Sequence, residues 1–184
     1  MRFLEGLERW LERFNGGLLK GLWWLSIATI AVMTVIVLAA VFFRYVLAEA
    51  LPWSEEIAKF LMVWMTFLAA PIAYREGALV AVGALPDRLS GRLAQLLVII
   101  VQLVVISVMV VFLKEGSFLT WNARIQTAST IELSISWVYV SMPLGAVALL
   151  SVSLGLLVTA IRELIRPSPP REREAGPLHI PGAM

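Results

Sequence analysis

Four long apolar runs, separated by short polar stretches, set the plan of the chain. The first, residues 21–43, holds 23 residues and no charge. As a helix rising about 1.5 Å per residue it reaches roughly 35 Å, enough to cross a hydrocarbon core of about 30 Å. The second run is residues 57–74, with one charge, Lys59. The third, residues 93–113, has none, and the fourth lies at about 135–161. Ahead of them, Phe3, Leu4, Leu7, Trp10, Leu11, Phe14 and Leu18 recur at helical spacing, with Arg2, Glu5, Glu8, Arg9, Glu12 and Arg13 on the other face. That pattern predicts an amphipathic helix over residues 1–20 lying along the membrane surface. The expected fold is an all-α integral membrane protein: four transmembrane helices and an N-terminal surface helix. Residues 162–184, with Pro-Ser-Pro-Pro and alternating Arg and Glu, read as a disordered tail.

Composition agrees. The chain is 60% hydrophobic with a mean hydropathy of +0.86, against roughly 45–50% apolar in soluble domains. It has no cysteine and one histidine, His179, which removes disulfides, thiolate chemistry and bis-histidine haem. The segment 114–136, rich in Ser and Thr, is too charged at both ends to lie in lipid. Eleven of the lysines and arginines fall in the N-terminus, the link between the second and third runs, and the tail; four (Arg44, Lys59, Lys114 and Arg124) fall on the other side. The positive-inside rule then places both termini in the cytoplasm and the 52–56 segment outside.

Candidate chemistry is sparse. Pro52, Trp53, Ser54, Glu55 and Glu56 open the second run. Ser54 is a candidate helix cap, the two carboxylates suit the positive end of the helix dipole, and Trp53 and Trp64 suit the headgroup level. Lys59, four residues after Glu55, reads as a lysine that snorkels outward and pairs with Glu55 or Glu56, or as a contact to a partner subunit. Gln102, near the middle of the third run, needs a hydrogen-bond partner in lipid; it reads as packing glue between helices. Small residues at Ala69/Ala73 and Ser151/Gly155/Thr159 suit close helix approach. Pro143 and Pro71 should kink their helices. No carboxylate lies deep in a run, which argues against a self-sufficient ion-coupled transporter and against small multidrug exporters. No catalytic dyad, metal spacing, phosphate loop or nucleic-acid signal is present, so an enzyme and a bound cofactor are not expected.

Three stretches carry a family resemblance. They are Phe43-Arg44-Tyr45-Val46 with Leu51-Pro52-Trp53-Ser54-Glu55-Glu56; Trp64 through Arg75 and Gly77; and Ile135-Ser136-Trp137-Val138-Tyr139 with Met142-Pro143-Leu144-Gly145. In this order and spacing, the chain from about residue 18 to 164 resembles the small membrane subunit (Q subunit, DctQ-like) of tripartite ATP-independent periplasmic (TRAP) transporters. Where that family often has a histidine and then an acid after the second span, this chain has Leu79 and Gly83.

The resemblance implies a bacterial inner-membrane protein. It would pair with a large multi-span M subunit that carries the substrate and sodium sites, and a periplasmic binding protein would deliver an organic acid. The Q subunit would extend the static scaffold. Arg44, Trp53, Glu55, Glu56, Lys59, Trp64, Gln102, Trp137, Tyr139, Pro143 and Gly145 are then candidates for subunit contact or for bracing the spans. The competing reading is a four-helix accessory or assembly subunit of another membrane complex.

Overall fold

A computed structural model describes residues 2–77 and 92–165. Five α-helices account for most of it: α1 (Arg2–Val46), α2 (Pro52–Arg75), α3 (Arg92–Asn122), α4 (Ser136–Tyr139) and α5 (Ser141–Ile165). A 3₁₀ turn, Ala123–Ile125, follows α3. Four helical stretches are long and apolar enough to cross a membrane: Trp10–Val46, Pro52–Arg75, Gln95–Ile125 and Ser136–Ile165. The chain is a multi-pass all-α membrane protein.

The helices outrun the apolar runs that predict them. α3 continues to Asn122, nine residues past the expected end at Leu113. A helix needs apolar side chains only where it meets lipid, and Lys114 and Glu115 ride on its exposed surface as a 3.9 Å ion pair. Likewise α5 runs to Ile165, so the first residues expected to be tail are helical. The rest of that tail, His179 included, lies outside the described residues, as do Leu79 and Gly83. The segment read as a surface helix passes into the first span without a break, giving a single helix of 45 residues, about 68 Å long.

α1 and α2 form an antiparallel pair joined at one end by Arg44 and Glu55 and meeting at the other through Leu19 and Tyr74. The turn between them places Ala48 at φ 54° and lets the Glu49 N–H donate to the Phe43 carbonyl at 3.1 Å. α3 and α5 form the second antiparallel pair, with Gln95 donating to Glu163 at one end and Gly116 against Met142 at the other. α2 and α5 run in the same direction. The core sits where the pairs meet: Leu19, Tyr74, Leu149 and Val152, with Leu22, Ala70, Ile72, Val105, Met109 and Leu156 around them.

The bundle is polar within and apolar without along α1. Asn15, Ser26 and Thr29 are buried, while Trp10, Phe14, Trp24, Val35 and Leu38 face outward. That arrangement suits lipid, where association gains little from hiding aliphatic side chains and more from close packing and hydrogen bonds. Among the described residues eight Ser and Thr hydroxyls, for example Ser26, Thr29 and Ser107, donate to the carbonyl four residues earlier. These bonds satisfy the hydroxyls without water.

Candidate subunit-contact site

The segment at the start of α2 is built as follows. Pro52 takes the first helical position, where its missing N–H costs nothing, and Leu51 is the residue before the helix. Ser54 therefore falls inside the first turn and does not cap it. Its hydroxyl donates back to the Leu51 carbonyl at 2.7 Å, and the side chain is buried. The two neighbouring carboxylates point to different elements. Glu55 pairs with Arg44 at 3.5 Å, tying α1 to α2. Both side chains are more than half exposed, so this bond contributes little on its own.

Glu56 turns to the loop between α3 and α4. One carboxylate oxygen accepts the Ser129 N–H at 2.9 Å; the other accepts the Thr130 N–H at 2.8 Å and the Thr130 hydroxyl. The loop is folded on itself: Thr127 bridges Ser134, the Ala128 N–H donates to Leu133 at 2.9 Å, and the Ile135 N–H donates to Gln126 at 3.0 Å. One anion thus holds the tip of a folded loop onto the head of α2. Lys59 does not make the pair expected of it. It is exposed, near enough to Glu56 to act electrostatically, and outside ion-pair distance of any carboxylate among the described residues. Its expected partners are already engaged by Arg44 and by the loop.

Further along, Trp64 donates its indole N–H to the Trp137 carbonyl at 3.0 Å, joining α2 to α4. Gly145 is buried where α5 crosses α2; a Cβ there would lie 2.9 Å from Phe67 Cβ and 3.0 Å from the Phe67 carbonyl oxygen. Pro143 cannot donate to Tyr139, and the hydrogen-bond ladder is interrupted at Val140, between α4 and α5, while the Val140 backbone stays helical at φ −57°, ψ −29°. By contrast α2 is helical straight through Pro71, which is fully buried. Trp53 and Trp137 are exposed, and Tyr139 is half-buried. Gln102 is buried, and its side-chain carbonyl accepts two hydroxyls: Tyr74 from α2 at 2.8 Å and Ser153 from α5 at 2.6 Å.

One inner joint escapes a sequence reading. Asn15 of α1 is buried against α5, where its amide N–H donates to the Ser151 carbonyl at 3.0 Å and its carbonyl oxygen accepts the Ser151 hydroxyl. Gly155 makes the room, since a Cβ there would lie 3.0 Å from the Asn15 amide nitrogen. The Ser151/Gly155 face is thus where α1 docks. The usable signal in the sequence is the one side-chain amide of α1, facing a run of small residues far along the chain.

Most of these joints lie within a stretch that matches a known family. The family model for the DctQ component of tripartite ATP-independent periplasmic transporters matches residues 33–163. The chain belongs to that family. Its DctQ relatives include a TRAP transporter small permease protein of Haemophilus influenzae, 28% identical over 142 residues, covering 77% of this chain and 83% of the relative. A second, the isethionate TRAP transporter permease protein DctMQ of Oleidesulfovibrio alaskensis, is 28% identical over 119 residues. That match covers 62% of this chain but 17% of the relative, a much longer protein. As a DctQ component, the chain is a small permease subunit of a TRAP transporter.

Proposed function

We propose that this chain is the scaffold subunit of a sodium-coupled, binding-protein-dependent importer of organic acids, seated in the bacterial inner membrane with both termini cytoplasmic. In this reading it pairs with a large M subunit, and the periplasmic binding protein engages mainly that subunit. The observation that carries the scaffold role is the state of the buried polar groups. Among the described residues they are Asn15, Ser26, Thr29, Ser54, Gln102, Ser141 and Ser153, all uncharged. Each is spent on an internal bond, Asn15 with Ser151, Gln102 with Tyr74 and Ser153, and the rest with backbone carbonyls. A moving transport domain needs polar groups free to take a substrate or an ion; a bundle whose polar groups hold one another is suited to keeping still.

The fused architecture named for the DctMQ relative supports pairing with an M subunit. The distribution of Lys and Arg supports the orientation. The test is purification of the tagged chain from native membranes in mild detergent, followed by reconstitution. A co-purifying large multi-span protein is expected, with uptake of an organic acid that needs a sodium gradient and the binding protein. Recovery of the chain alone, or uptake indifferent to sodium, would overturn the reading.

A further inference from the structure

Beyond the last turn of α3, Arg124, Ser134, Ser136, Trp137 and Val140 line an open cleft of about 320 Å³. The Arg124 guanidinium sits 3.4 Å from the centroid of the Trp121 ring. Among the described residues no carboxylate pairs with it. The cleft walls are braced from within: the Ser136 hydroxyl donates to the Thr120 carbonyl at 2.9 Å, and the Ser134 hydroxyl reaches the Ala123 and Arg124 carbonyls at 3.3 Å. With those protons engaged, the positive charge of Arg124 is what the cleft offers a ligand.

The surroundings specify the ligand further. Trp121 and Trp137 are 63% and 65% exposed, large rings with one polar edge of the kind that settle at the headgroup level. From Val140 an apolar strip runs along α5 through Leu144, Val147 and Leu154, the last three exposed. The spacing of four, three and seven residues keeps them on one face. The strip is about 20 Å long, enough to cross one leaflet of a core about 30 Å thick. A cation with interfacial tryptophans at one end and a leaflet-long apolar strip below it matches a phospholipid. A soluble anion would leave the strip uncovered.

We propose that this cleft is a phospholipid site. The Arg124 guanidinium takes the lipid phosphate, for which its planar fork of donors is well shaped, and an acyl chain lies along Val140, Leu144, Val147 and Leu154. Trp121 holds the guanidinium in place from the opposite face.

Native mass spectrometry of the detergent-extracted protein, with whatever subunits accompany it, tests this after graded delipidation. The wild type is expected to retain one phospholipid per chain after bulk lipid is gone. Arg124→Gln should lower that occupancy by about tenfold, the worth of a hydrogen bond to a charged group, and Arg124→Lys should fall between, keeping charge without the fork. Leu144→Gln, on the strip and away from the cation, should also lower it, and carries the test alone if Arg124→Gln does not fold. Millimolar inorganic phosphate should leave the lipid bound. The proposal is overturned if the variants retain lipid as the wild type does, or if phosphate displaces it. It is also overturned if Arg124→Gln sheds a protein subunit while its lipid occupancy stays unchanged.

Discussion

Gly145 carries no side chain because Phe67 leaves no room for one. A methyl group would press on both the Phe67 side chain and its backbone carbonyl, and backbone cannot step aside as a flexible side chain can. Gly145→Ala should therefore separate α2 from α5 and cost about 1–3 kcal/mol, the usual range for overpacking. Thermal unfolding in detergent checks this; an unchanged midpoint would show that the two helices tolerate the extra carbon. Gln102 makes a second prediction, with a built-in control. Gln102→Leu strands two buried hydroxyls, Tyr74 and Ser153, and should cost about 1–3 kcal/mol. Removing the stranded hydroxyls as well, with Tyr74→Phe and Ser153→Ala, should recover most of that loss, since apolar groups ask for no partner. If the triple variant is as unstable as the single one, the hydrogen bonds are not what Gln102 supplies. Ala48 has the opposite sign. At φ 54° it occupies a conformation that glycine adopts freely, so Ala48→Gly should stabilise the α1–α2 turn by up to about 1 kcal/mol. A drop in the unfolding midpoint of that variant would refute it.

At the scale of elements, the loop between α3 and α4 depends on a residue more than 70 positions earlier. Glu56 supplies acceptors for the Ser129 and Thr130 amides, and no loop residue replaces them. In Glu56→Gln one oxygen becomes an amide donor, so the Ser129 and Thr130 amides cannot both keep an acceptor and should lose hydrogen-exchange protection, while the Ala128 and Ile135 amides, tied by the loop's own bonds, change less. Uniform loss across the loop would mean that Glu56 folds the loop, whereas the expectation is that it only fastens it. The helices themselves were legible in the sequence because apolar runs of about 20 residues with at most one charge have one reading. Their ends were less so: α3 and α5 continue as ordinary helices past the apolar stretch, where nothing in a hydropathy pattern marks the stop. Pro143 was informative because the interruption of the hydrogen-bond ladder between α4 and α5 follows from a missing donor. Pro71 gave no such mark, since α2 stays helical on both sides of it.

Across the whole molecule, Glu55 and Glu56 look alike in sequence but differ in consequence. An exposed ion pair and a three-bond clasp are different structures, and only three-dimensional proximity of the loop tells them apart. If this end of the bundle contacts the large subunit, Glu56→Ala should weaken co-purification more than Glu55→Ala, with substrate affinity of the assembled transporter little changed. Normal co-purification with altered affinity would reverse that view. The partners of Gln102 were equally hidden. Its need for a hydrogen bond followed from its place in a lipid-spanning run, but its choice of Tyr74 and Ser153 depends on the register between three helices, which periodicity does not encode.

That register has a consequence for how the protein is made. Tyr74 is bound to Ser153, which lies 12 residues from either end of α5, through a glutamine on α3. During synthesis α2 leaves the ribosome before both of those partners exist. It is also the least apolar of the four spans, and its glycine contact, its indole bond and its Gln102 bond all come from residues made later. For the interval in which α3 to α5 are being translated, α2 has only α1 to lean on, through the Arg44–Glu55 pair, the short turn and the packing of Leu19 and Leu22 near Tyr74. The packing of this helix is therefore completed only after translation has passed Ser153.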